Sequence, residues 1–159
     1  MAGLADLSAV ELLRRYADRS LSPVEAVEAA LGRIAGLNPK LNAFCLVDAE
    51  SARAASRASE ARWRAGAPAG LVDGVPTSIK DMFLTRGWPT LRGSKTIRAE
   101  GPWNEESPLV ASLRAHGAVF LGKTTLPEFG WKGVTDSPIH GVTRNPWNPA
   151  RTPGGSSGG

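Results

Sequence analysis

An α/β fold, with helices layered against a largely buried sheet, is what this chain of 159 residues predicts. Three observations carry that expectation. Segments of helical periodicity alternate with short apolar runs along the chain. Those runs are continuous rather than alternating, as in strands covered on both faces. And twice a serine stands three residues before a glutamate where a helical stretch begins, the signature of a capped helix start.

The elements follow in order. Ser8 with Glu11 and Ser22 with Glu25 fit the S/T-x-x-E capping pattern, and Pro23 takes the first helical position, where its missing N–H is not needed. Beyond Ser22 the residues Val24, Val27, Leu31 and Ile34 form one apolar stripe, which "NPK" at 38–40 is expected to end. "LNAFCLV" (Leu41 to Val47) predicts a strand. "ESARAASRASEARWRAG" predicts a third helix, ending near "GAPAG", with Arg53, Arg57, Arg62 and Arg64 on a solvated outer face. "VPTSIKD" (Val75 to Asp81) reads as a second strand. Ser107 and Pro108 open a helix over "SPLVASLRAHG" that Gly117 closes, and "AVFL" follows as a third strand. After Lys123 the density of Gly, Pro, Trp and Asn predicts a long ordered loop region, which inside a compact domain is usually functional. Neither a repeat nor a linker interrupts the pattern, so residues 1–159 are expected to lie in one domain without an internal boundary.

Composition narrows the class. Apolar residues make up 42% and charged residues 21%, with no block of like charge, which describes a globular chain rather than a disordered one. The net charge of +4 rests on 14 Arg against 5 Lys. No recognition motif or stacking platform accompanies the arginines, so no nucleic-acid partner is expected. "MAGLADLSAV" lacks the basic and apolar regions of a signal peptide, and the run "AFCLV" is far too short to cross a bilayer. With Cys45 as the single cysteine, the expectation is a cytoplasmic protein with no membrane partner.

The candidate motifs differ in what they can carry. "GAVFLGKT" satisfies the letters of a phosphate loop, but its middle residues are themselves the strand and Pro127 arrives before a helix can form, so a nucleotide site is not expected. His116 falls in the last turn of a helix, where a cation is favourable. His140 has no second His or Cys at ligand spacing, so neither a metal centre nor a Ser-His-Asp triad is expected. Cys45 reads as a buried small residue. The tryptophans (Trp63, Trp88, Trp103, Trp131, Trp147) are packing residues first, with Trp88, Trp131 and Trp147 open to a share of a pocket wall. Lys80 and Asp81 taken alone are a surface ion pair, and "GGSSGG" taken alone is a flexible linker. Combined, they supply a lysine base and a proton-passing serine, a histidine-free variant of triad chemistry.

Four stretches in this order, "GVPTSIKD", "GAVFLGKTTLPEFGW", "GVTRNPWNP" and "TPGGSSGG", resemble the N-terminal part of the amidase signature family. The resemblance runs from about Leu7 and is densest from Gly74 to Gly159. It implies a mixed, twisted central sheet wrapped by helices, truncated here to its N-terminal part. It implies that Lys80 is the catalytic lysine and that Ser156, after a cis Gly155–Ser156 bond, is the serine bridging to a nucleophile. That nucleophilic serine and its oxyanion hole belong to a later Gly-Gly-Ser segment, so the 159 residues alone are expected to be inactive and poorly soluble. Gly130 and Trp131, beside Phe129, and Ser157 are the implied substrate-binding residues. No metal or cofactor is implied; the partner is a small-molecule amide, and the full-length protein has room for a homodimer. For Lys80 to be neutral near pH 7 its pKa must drop about three units from its reference, about 4 kcal/mol of differential interaction. Thr125 stands where many members carry asparagine, which bears on loop hydrogen bonding. Two other functions stay open. One is the amidase-like component of a tRNA-dependent amidotransferase, which the stretch "PEFGWKGVTDSPIHG" resembles less than it does stand-alone amidases. The other is a non-catalytic binding module.

Overall fold

A computed structural model describes residues 3–159. Both predicted caps form. Ser8 starts α1 (Ala9–Ala17): its hydroxyl accepts from the Glu11 amide, and the Glu11 carboxylate accepts from the Ser8 amide. Ser22 and Glu25 do the same for α2 (Pro23–Leu41). The expected break at "NPK" does not occur: α2 runs through Pro39 to Leu41. Its end is set by Asn38, whose side-chain oxygen accepts from the amides of Ala43 and Phe44, and by Asn42, which turns into the left-handed region at φ 53°. The strand that follows, β1 (Phe44–Val47), therefore starts later than the sequence suggested.

Asp48 caps α3 (Ala49–Arg64), accepting from the Ser51 amide. Three of the four arginines on it are exposed, but Arg62 departs from the solvated face. It grips the fully buried Asp73 carboxylate with two bonds, at 2.8 and 2.5 Å. Strand β2 (Pro76–Lys80), helix α4 (Pro108–Ala115) and strand β3 (Val119–Thr124) complete the α/β succession. His116 lies past the last turn of α4 rather than within it. Its Nδ1 accepts from the Leu71 amide at 3.2 Å.

The strands form one sheet in the order β1-β3-β2. β1 and β3 are antiparallel. The bonds Val119 N–H to Val75 O and Asp81 N–H to Thr124 O ascend together, so β3 and β2 are parallel and the sheet is mixed. β3 is buried at every position and extends past the expected "AVFL" through Gly122, Lys123 and Thr124. Those letters of the phosphate-loop look-alike therefore belong to a strand. A two-stranded hairpin, β4 (Asp136–Ser137) with β5 (Gly141–Val142), organises part of the loop region.

Backbone contacts divide the chain into two compact units. One takes the chain up to Ala35 with Asp48–Thr77 and Ala111–Leu121. Its core is Leu12, Tyr16, Leu21 and Ala26, with Trp63 tilted against Tyr16 at 5.9 Å between ring centres. The Tyr16 hydroxyl donates to Gly74 O and the Trp63 indole to Asp73 O, which is how two aromatic side chains keep their polar ends satisfied under cover. The other unit comprises Gly36–Val47, Ser78–Val110 and Gly122–Gly159, with Ile79, Val110 and Leu126 buried. Among the described residues no helix is long and apolar enough to cross a membrane.

Candidate functional site

Lys80 closes β2 and Ser156 sits in the glycine loop, 76 positions along the chain. The structure brings them together: Lys80 Nζ donates to Ser156 Oγ at 3.0 Å. Lys80 is half-buried, and burial holds its ammonium below the ordinary lysine range. At this separation the proton can travel the other way once the amine is neutral.

The glycine loop is packed, not tethered. The Gly155–Ser156 bond is cis. A Cβ on Gly155 would lie 2.8 Å from Lys132 O and 3.0 Å from Val134 N. One on Gly158 would collide with the Thr135 hydroxyl. The linker alternative for "GGSSGG" therefore fails on space: the glycines are there because backbone passes backbone. Thr135, 1% exposed, donates its hydroxyl to Gly154 O at 2.6 Å, and its amide donates to Thr152 Oγ1 at 3.1 Å.

Of the residues expected to bind substrate, Gly130 stands beside this pair: a Cβ on it would be 3.7 Å from Ser156 Oγ and would press on the Met82 methyl. Its neighbour Phe129 adopts φ 51°, and Trp131 is 78% exposed. Ser157 is exposed. Trp147 projects into solvent and Trp88 is half-buried, its amide bonded to Thr85 O, so the structure does not gather the tryptophans into one wall.

Asp81 corrects a sequence expectation. It forms no surface pair with Lys80: successive side chains leave a strand on opposite sides, and Asp81 turns inward to Lys123, 3.1 Å away. Both side chains are buried, 2% and 1% exposed, and Lys123 also donates to Thr90 Oγ1. Burial pushes Asp81 up and Lys123 down, each opposed by the other's charge. Beside them lie Cys45 and His140, whose donor atoms fall within 4.8 Å of one another and of Asp81. Three distant segments make this cluster, which is why ligand spacing could not reveal it. Lys123 is the cation that meets its carboxylate. Cys45 is pushed up to about 12 by burial and by Asp81, so its thiol is inert, and burial also holds the His140 imidazole below its ordinary value. Thr125 bears on loop hydrogen bonding as expected, its hydroxyl contacting Ala43 O and Thr143 Oγ1.

The chain is similar to known proteins over its whole length. The family model described as Amidase matches residues 25–159. A glutamyl-tRNA(Gln) amidotransferase subunit from Acidothermus cellulolyticus is 44% identical over all of this chain and 31% of its own length. The protein of the same name from Myxococcus xanthus is 41% identical over 98% of this chain and 32% of its own. Among solved structures, a bacterial aryl acylamidase of the amidase signature enzymes superposes with TM-score 0.85 at 34% identity, over 96% of this chain and 32% of that one. The peptide amidase PAM, in complex with the competitive inhibitor chymostatin, gives 0.87 at 30%, over 97% and 33%. The chain spans about a third of the length of the curated relatives it matches.

Proposed function

Since the chain belongs to the amidase family, we propose that the whole protein hydrolyses a carboxamide C–N bond, releasing an acid and ammonia or an amine, with Lys80 as base and Ser156 as relay. The observation that carries this is the 3.0 Å approach of Lys80 Nζ to Ser156 Oγ, with the lysine held toward its neutral form by burial.

In the proposed sequence neutral Lys80 takes the Ser156 proton, and Ser156 takes the proton of a serine supplied by the remainder of the protein. That serine attacks the amide carbonyl. The proton returns along the same path to the departing nitrogen, the C–N bond breaks, and water then releases the acid from the acyl-serine. Gly130, Trp131 and Ser157 are proposed to border the substrate, Gly130 because it lies beside Ser156. The protein is proposed to work in the cytoplasm without metal or cofactor, as one amidase domain whose whole form is open to homodimerisation.

The test is ammonia release from a panel of carboxamides by the full-length protein, with Lys80→Met and Ser156→Ala. Loss of a base and relay that act as a unit is expected to cost on the order of 10³-fold or more in kcat. Undiminished turnover in Lys80→Met would refute the assignment.

A second reading has its own support in the relatives named as glutamyl-tRNA(Gln) amidotransferase subunits, at 41–44% identity. In it, the same chemistry releases ammonia from glutamine inside a multi-subunit complex. Glutamine as the preferred amide, together with partner proteins that co-purify, would select it over the stand-alone amidase.

A further inference from the structure

Ser156 must be held close against Lys80 for a proton to pass, yet it sits in an irregular glycine loop, and its hydroxyl is bonded to Lys80 itself. Something else fixes the loop. We propose that Thr135 is the positioning residue that sets Ser156 against Lys80, an inference that rests on the proposed function and extends it.

Thr135 holds the loop on both flanks of Ser156. Two residues before the serine, Gly154 O receives the Thr135 hydroxyl at 2.6 Å. Two residues after it, Gly158 lies so close to the Thr135 side chain that a Cβ has no room. Further upstream Thr152 Oγ1 accepts the Thr135 amide at 3.1 Å. One buried side chain thus meets the loop at the positions that bracket the relay serine, and its own backbone meets a third.

Thr135 is itself anchored. Its carbonyl accepts from the Thr143 amide at 3.0 Å across the hairpin that β4 and β5 form. The Thr143 hydroxyl donates to Asn42 O at 2.7 Å, and Asn42 Nδ2 donates to His140 O and Val142 O. The hairpin is therefore fastened to the end of α2, and the loop is fastened to the hairpin. Removing the Thr135 hydroxyl leaves the Gly154 carbonyl without this donor and frees the backbone that carries Ser156. Because proton transfer depends steeply on geometry, a shift of this kind shows in turnover rather than in substrate affinity.

The experiment uses the full-length protein with Thr135→Val, which keeps shape and removes the hydroxyl, and Thr135→Ser, which restores it. Thr135→Val is expected to lower kcat for the best carboxamide roughly 10²-fold. KM and the pH dependence of kcat/KM should stay near the wild-type values, and Thr135→Ser should recover most of the rate. A wild-type kcat in Thr135→Val overturns the proposal, as does an equal loss in both variants or a loss confined to KM. If Thr135→Val does not fold, Thr135→Ala removes the same hydroxyl without added bulk and is read the same way. If wild-type turnover proves independent of Lys80, it is the functional assignment that falls; if it depends on Lys80 but not on the Thr135 hydroxyl, only this inference does.

Discussion

Replacing Lys123 by methionine keeps the stem and deletes the ammonium, leaving Asp81 2% exposed and without its cation. At 3.1 Å the lost attraction is about 5 kcal/mol at an effective dielectric constant near 20. That agrees with the roughly 3–5 kcal/mol typical of breaking a buried pair from one side. Thr90 Oγ1 loses its donor as well. The loss should also depend on pH. Burial already raises the Asp81 carboxyl, and without Lys123 the groups facing it are the His140 imidazole, the Cys45 thiol and the backbone at Arg92. The folded variant then holds a proton at Asp81 that the unfolded chain has given up. Since the folded value is raised, this stabilisation is full below the unfolded carboxylate range and disappears as pH climbs through the folded value, by up to about 1.4 kcal/mol per pH unit. Urea unfolding of full-length wild type and Lys123→Met at pH 5 and pH 8 measures it. A His140→Asn background takes out the neighbouring imidazole, the ionisable ring facing Asp81. The deficit should be largest at pH 8 and shrink at pH 5. Equal deficits at the two pH values, or a deficit below about 1 kcal/mol, as for an exposed pair, would refute the reasoning.

Two further expectations concern the loop and the base. In the proposed mechanism neutral Lys80 is the reactive form, and burial lowers its value, so kcat/KM should rise with pH along a limb below the ordinary lysine range; a limb at the ordinary value, measured on the full-length protein, would mean the amine is solvated in the working enzyme. Gly158→Ala should reduce carboxamide turnover by at least about tenfold, because its methyl meets Thr135, whereas Gly133→Ala, with nothing within 4 Å, serves as the silent control; equal activities would contradict the packing.

Local chemistry was what the sequence made legible. Ser8 and Ser22 announce helix starts because a cap is satisfied by residues three positions away. Pro39 misled because the helix end is decided by the Asn38 side chain and the φ of Asn42, neither of which a Pro rule weighs. The burial of Asp81 was invisible beside Lys80, since its partner lies 42 residues on inside a motif that looks like a phosphate loop. Arg62 was lost in the same way, counted with its exposed neighbours although Asp73 draws it inward. Lys80 and Ser156 could be joined at the sequence level only through a family resemblance, because nothing in a separation of 76 residues predicts 3.0 Å. Thr135 carries no signal of its own: a threonine before a hairpin is unremarkable until the loop it grips is seen.

Adjacent positions at the end of β2 face opposite ways, the amine of Lys80 toward Ser156 and the carboxylate of Asp81 toward Lys123. A strand slipped by one residue in one direction would carry the Lys80 ammonium into the interior position that Asp81 holds, opposite Lys123. Lys123 stands on the neighbouring strand and rejects that arrangement by like charge. The Asp81–Lys123 pair therefore sets a charge penalty against that register, so the contact that neutralises the interior also discriminates between strand alignments.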